Sequence, residues 1–224
     1  MENSILDNRV NQTLGYLKLA YNDYIAARVL LNKNYTLQGV TLASTAIEKY
    51  FKAAIFMFTG KRPEVHLDRF QILEKEISAI GYQILFDKID PGFLNILSKA
   101  YQLRYYDKLM APITIGFFKN QFLGELDGAV ELLERLFILK HAKTGAPILS
   151  PLKWEYKAGN NDLLKNNWVA TEKKDKKAFM ETGCEGFAIH ILPGNLFNEI
   201  NVSSKKMDIP YQGKMILIDV KPDK

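Results

Sequence analysis

Apolar residues recur at three- and four-residue spacing through most of the first 140 or so positions, and that period commits this part of the chain to packed helices. Over 13–32 the stripe is Leu14, Leu17, Tyr21, Tyr24, Ala27 and Leu31, with Asn34 as a stop. Over 36–58 it is Val40, Ala43, Ile47, Tyr50, Phe51, Ala54 and Phe58, closed by Gly60 and then Pro63. A third helix reads from about 68 to Gly81, with Phe70, Leu73, Ile77 and Ile80 inward. Pro91 at a first-turn position opens a fourth, on which Leu94, Leu97, Tyr101 and Arg104 share a side. After a loop at Ala111-Pro112, a fifth helix is expected over 120–141, its face formed by Phe122, Leu126, Val130, Leu133, Leu136 and Phe137. Lys140, His141 and Lys143 would then sit at its C-terminal end, where the helix dipole favours positive charge.

Gly145-Ala146-Pro147 breaks the pattern. Beyond it the helical period is lost, and short β-type segments are expected at 152–156, 168–171, 187–192, 196–202 and 215–220. They form either a small antiparallel sheet packed on the helices or a tail ordered by a partner; their Val, Ile, Phe and Trp content needs burial and favours the sheet. The expected class is therefore α+β: an up-and-down bundle of four to five helices over 1–144, then a β-rich C-terminal extension over 145–224.

With 224 residues, 47% hydrophobic and 12% aromatic, the chain is long enough to bury a sizeable core. Its net charge of +5 is spread evenly: residues 1–144 hold 18 basic and 15 acidic side chains, and 145–224 hold 12 and 10. A polyanion-binding face would concentrate the excess. The lysine run at 173–177 reads as a solvated turn. The single cysteine, Cys184, excludes an intramolecular disulfide and fits a reducing cytoplasm. The first residues lack the basic and apolar regions of a secretory signal, and apolar runs such as 53–58 fall far short of the roughly 20 residues that cross a bilayer. The expected setting is cytoplasmic, with no membrane contact.

Several chemistries lack their residues. The three histidines, His66, His141 and His190, are too far apart to form a local metal motif, and Gly60-Lys61 lacks the rest of a phosphate loop. The spaced aspartates of a nucleotidyltransferase are also missing. No cofactor or metal is expected. His66 precedes the third helix in a capping or bridging position, and His190 lies in an alternating strand with its side chain expected toward solvent.

What remains is an ordered set of polar residues on the helices. Glu48 and Lys52 are four apart, acid first, the favourable orientation for a helix pair. Asp23 and Arg28 flank the first apolar stripe; charges there cost desolvation unless paired, so they are expected to line a groove or the bundle edge. The series runs Ala20-x-x-Asp23-x-x-x-Ala27-Arg28-x-Leu30-Leu31, Ile47-Glu48-Lys49-x-x-Lys52-Ala53, Pro63-x-x-His66 and Arg104-Tyr105-Tyr106-Asp107. In that order it resembles the HEPN domains (higher-eukaryote and prokaryote nucleotide-binding), over roughly residues 12–142. Phe70 and Leu73 lie further from His66 than the family spacing, and Tyr106 stands where the family has proline.

The resemblance implies a helical, often dimeric bundle. Such a bundle binds nucleotides, works with a nucleotidyltransferase partner as in toxin–antitoxin pairs, or cleaves RNA without metal. The ribonuclease branch needs a histidine four to six residues after its arginine, to accept a proton near neutral pH. No histidine follows Arg104 until His141. The expectation is thus a non-catalytic nucleotide- or RNA-binding module. Lys52, Arg104, Tyr105, Asp107 and Lys108 would line its groove, supported by Asp23, Arg28, Glu48 and His66. The alternatives are a structural homodimer, for which Leu133, Leu136 and Phe137 would supply the apolar face, and a ribonuclease with a non-standard base.

Overall fold

The computed structural model describes residues 2–64, 66–108, 111–141, 143–170, 175–182, 185–194, 199–206 and 215. Two long helices, α1 (Glu2–Asn32) and α2 (Thr36–Thr59), form its framework. They are antiparallel: Leu31 meets Gly39, Asp23 meets Lys49 and Arg9 meets Gly60, in opposite order along the two helices. The turn between them is set by Asn34, which takes a left-handed φ of 64°. The amides of Asn34 and Tyr35 then donate to the carbonyls of Leu31 and Leu30, the paired closure that satisfies otherwise orphaned helix-end carbonyls. Gly39 permits the close approach, since a Cβ there would lie 2.6 Å from Leu31 Cγ.

α2 is the central element, packed against α1, α3 (Phe70–Ala79), α5 (Pro91–Gln102) and α6 (Lys119–Glu134). A short α4 (Ile84–Lys88) precedes α5. Asp90 caps α5 by accepting from Phe93 N at 3.0 Å, with Pro91 in the first turn where its missing N–H costs nothing. A 3-10 stretch, Leu103–Lys108, continues α5.

Residues 113–118, to which the sequence pattern assigns no element, form a strand, β1 (Ile113–Phe118), which runs directly into α6. Together with β4 (Glu185–Leu192) and β5 (Glu199–Lys206) it makes an antiparallel sheet in the order β1-β4-β5. Ile115 opposes Ile189 and Phe117 opposes Phe187, and these buried residues join the helical core. One hydrophobic cluster runs from Leu17 through Leu152, Leu163 and Ile191 to Met215, so the core is continuous across residue 145.

Other expectations give way as well. Residues 152–156 are not a strand but the middle of α7 (Pro151–Ala158). Ser150 caps it, Pro151 opens it and Gly159, at a φ of 70°, ends it. Residues 168–170 form a turn instead of a strand, held where Trp168 Nε1 donates to Gly124 O at 2.9 Å. The fifth amphipathic helix, α6, stops at Glu134 and does not reach His141. Leu139–Lys140 and Pro147–Ile148, β2 and β3, pair instead as a two-stranded ladder, so Lys140 and His141 flank a hairpin rather than a helix end. Short helices α8 (Asn161–Leu164) and α9 (Lys176–Glu181) complete the described elements. Cys184 and the segments 196–198 and 216–220 lie outside the described residues.

No helix among the described residues is long and apolar enough to cross a membrane. Leu133 and Phe137, the apolar pair expected to offer an outer face, are buried in the chain's own core, with Leu136 packed against it.

Candidate functional site

Glu48 and Lys52 lie one turn apart on α2, and their side chains meet at 2.9 Å. The pair is not an exposed one: Lys52 retains only 13% of its side-chain accessibility and Glu48 6%. A carboxylate withdrawn this far from water needs its oxygens filled. Oε1 accepts from Lys52 Nζ and also faces His66 Nδ1 at 3.0 Å, while Oε2 accepts from the backbone N–H of Leu67 at 3.1 Å. Burial works to raise the Glu48 pKa, but hydrogen bonds from Lys52 and His66, the Lys52 charge and the Leu67 amide outweigh it. The net direction is down, so Glu48 is a carboxylate and His66 Nδ1 is the donor of that contact. In this way α2 clamps the segment that leads into the 3-10 turn Leu67–Arg69 and α3.

The imidazole of His66 in turn stacks on Tyr101, near the end of α5, with ring centres 5.2 Å apart and planes at 27°. Tyr101 also carries Arg104, whose guanidinium carbon lies 5.2 Å from its ring centre and 5.7 Å from that of Tyr105. The rings of Tyr101 and Tyr105 are 6.0 Å apart. Burial, then the hydrogen bond and charge of Tyr105, push the Tyr101 phenol up to about 12, although Arg104 acts against them. Tyr105 has the one non-helical backbone angle pair within the 3-10 stretch, φ −126° and ψ 40°, a kink that leaves 45% of the residue exposed. An unbroken series of contacts therefore runs Lys52–Glu48–His66–Tyr101–Arg104–Tyr105.

Lys52 and Arg104 thus belong to one cluster but differ in state. Lys52 is paired with Glu48, whereas Arg104 is exposed, stacked on two rings, and in ion-pair contact with none of the described side chains. Such stacking leaves the guanidinium edge, with its fork of donors, able to meet an oxyanion. Of the other expected site residues, the side chains of Asp107 and Lys108 lie outside the described residues. Asp23 pairs with Lys49 at 2.6 Å across the α1–α2 seam and takes no part in the series.

Arg28 stands elsewhere altogether. Instead of lining a groove it is fully buried, ion-paired with Asp127 of α6, which also accepts from Tyr24 OH at 2.8 Å. Its Nη2 donates to the carbonyls of Lys165 and Asn166 at 2.7 and 3.0 Å, fastening the segment after α8 to α1. Although burial works to lower the Arg28 pKa, the Asp127 carboxylate beside it holds it above the usual range. A second buried carboxylate, Glu134, accepts from Tyr50 OH at 3.1 Å and Ser150 Oγ at 2.6 Å, tying the start of α7 to α2 and α6. Neither network reaches the cluster around His66. Burial is the leading influence on Glu134 and raises its pKa.

Tyr101, expected only to share a helix side with Leu94, Leu97 and Arg104, is the ring on which both His66 and Arg104 pack; its distances of three and four residues from Arg104 and Tyr105 are the signal in the sequence. His190 is half-buried, its Nδ1 3.0 Å from Thr114 Oγ1 across the β1–β4 ladder. No group of three or more His, Cys, Asp or Glu capable of holding a metal occurs among the described residues. Comparison with protein-family models, with curated proteins and with solved structures gave no match.

Proposed function

We propose that this chain is a non-catalytic, HEPN-like module that binds a nucleotide or RNA through Arg104 and Tyr105. The observation that carries the reading is the placement of Arg104 over the rings of Tyr101 and Tyr105, at the exposed end of the series that begins at Lys52. Guanidinium–phosphate hydrogen bonds are charge-assisted and bidentate, and an exposed tyrosine ring supplies a face on which a base can stack. Glu48 offsets the Lys52 charge, so Lys52 contributes to the shape and field of the site, and Arg104 makes the direct phosphate contact. Calorimetric titration of ATP, GTP and a short RNA into the chain tests this. Binding should appear and should weaken about tenfold or more in Arg104→Ala, the loss of one charge-assisted pair. No heat with any of the three at millimolar concentration would remove the proposal.

A second reading, metal-independent RNA cleavage, draws on one specific contact. His66 stacks on the same Tyr101 ring that carries Arg104, which brings an imidazole near the arginine from an earlier loop. With Nδ1 held by Glu48, Nε2 is the nitrogen left to take a proton. RNA cleavage abolished by both His66→Ala and Arg104→Ala would establish that reading, and intact RNA in a nuclease-free assay would end it. The homodimer and the nucleotidyltransferase-type partner follow from the family resemblance alone; light scattering and co-purification address them.

A further inference from the structure

A cleft of about 420 Å³ opens where the end of α2 and the residues after it face α3, beyond Lys52 along α2. That volume is within the range of small-molecule sites. Its apolar lining includes the buried Ile55 of α2 and, at the end of α3, the exposed Ala79 and the half-buried Ile80. Its charged lining has both signs: Lys61 and Arg62 just after α2, and Glu64 and Glu76, the latter one turn before Ile80. No ion pair joins these four to one another or to other described residues, and the one side-chain bond among them runs from Arg62 Nη2 to Gln12 Oε1 at 3.3 Å. Gly60 fixes where the cations stand. Its φ of 72° ends α2, and a Cβ there would run into the Arg9 guanidinium at 2.5 Å.

Opposite charges that line one opening without neutralising each other can both be satisfied by a single molecule that carries both signs, and the apolar lining calls for an apolar group between them. We propose that the cleft binds a free α-amino acid with an apolar side chain. The carboxylate meets Lys61 and Arg62, the ammonium group meets Glu76 and Glu64, and the side chain covers Ile55 and Ile80. A pure anion would leave the two glutamates facing it with like charge, and a neutral apolar molecule would use neither pair of charges. This site is independent of the phosphate-binding reading, because it uses none of the residues in the Lys52–Tyr105 series.

Calorimetry on the full chain with L-leucine and L-phenylalanine tests the proposal, with N-acetyl-L-leucine and L-leucinamide as probes lacking one charge each. The free amino acids should bind, and each single-charge derivative should bind about tenfold or more weakly, as expected for loss of one charge-assisted contact. Glu76→Gln should weaken leucine and leave N-acetyl-leucine bound as well as before or better, while Arg62→Gln should weaken leucine and leave leucinamide bound as well as before or better. Ala79→Trp, which sets a large ring into the lining, should abolish binding with the helical circular dichroism retained. No heat with leucine or phenylalanine at millimolar concentration would overturn the proposal. So would derivatives that bind as tightly as leucine, or leucine binding that survives Ala79→Trp.

Discussion

One carboxylate oxygen of Glu48 lies 3.0 Å from His66 Nδ1, 18 residues further along the chain, and the other accepts the backbone N–H of the next residue, Leu67. A single buried side chain of α2 therefore holds the segment on which the site's imidazole stands.

The hold is pH-dependent with a defined sign. The folded-state pKa of Glu48 is below the ordinary 4.5, so its contribution to stability is present above that value and is lost as pH falls through the depressed one. Glu48→Gln keeps an acceptor for Leu67 N–H but has no charge for Lys52 and no titration in this range. Melting temperatures measured from pH 7 to pH 3 should show wild type above the variant by a constant margin down to about pH 5, and the gap should close below it. A margin that persists undiminished at pH 3 would refute the linkage.

The Arg28–Asp127 pair lends itself to a double-mutant cycle. Arg28→Met strands the Asp127 carboxylate in the core and should cost about 3–5 kcal/mol in urea unfolding. Adding Asp127→Leu removes the stranded charge and should recover a large part of that loss. Recovery should stop short of wild type, because the carbonyls of Lys165 and Asn166 lose their donor in both variants. Equal stabilities for single and double variant would show that the charge is not what matters there.

At Gly39 two effects oppose each other. Alanine inside a helix stabilises by up to about 0.5–1 kcal/mol over glycine, and Gly39 stands at the end of the first turn of α2. Here, however, the new Cβ would lie 2.6 Å from Leu31 Cγ and 3.2 Å from the Leu31 backbone nitrogen, so α1 itself must move, and overpacking of this kind costs about 1–3 kcal/mol. Thermal unfolding should show Gly39→Ala less stable than wild type. In a Leu31→Ala background, where the Cγ is gone, the same change should cost measurably less.

The long helices were legible because their signals are local. The α1 and α2 stripes, Asn34, Gly60 and Pro91 all act within a few residues of where they stand. The strand at 113–118 was hidden because its partner is far away: Thr114 and His190, which face each other in the ladder, are 76 positions apart, and nothing near Ile113 announces that pairing. At 152–156 the β-type side chains and the flanking punctuation point opposite ways, and the punctuation decides. Ser150-Pro151 and Gly159 frame a helix whatever lies between them. At the site, the Glu48–Lys52 contact followed from helical spacing, but the docking of His66 on both Glu48 and Tyr101 depends on how a loop folds back. Arg28 is not legible because an isolated arginine beside an apolar stripe reads as a rim residue; its burial depends on Asp127, set inside the apolar period of α6.

The sheet also fixes an order of events at the ribosome. Ile115 and Phe117 are synthesised well before Ile189 and Phe187, which pair beside them in the finished sheet. Through that interval the nascent helices must carry a greasy, hydrogen-bond-hungry ribbon open to the surroundings, which is when a chaperone or a neighbouring nascent chain has its best chance to capture it.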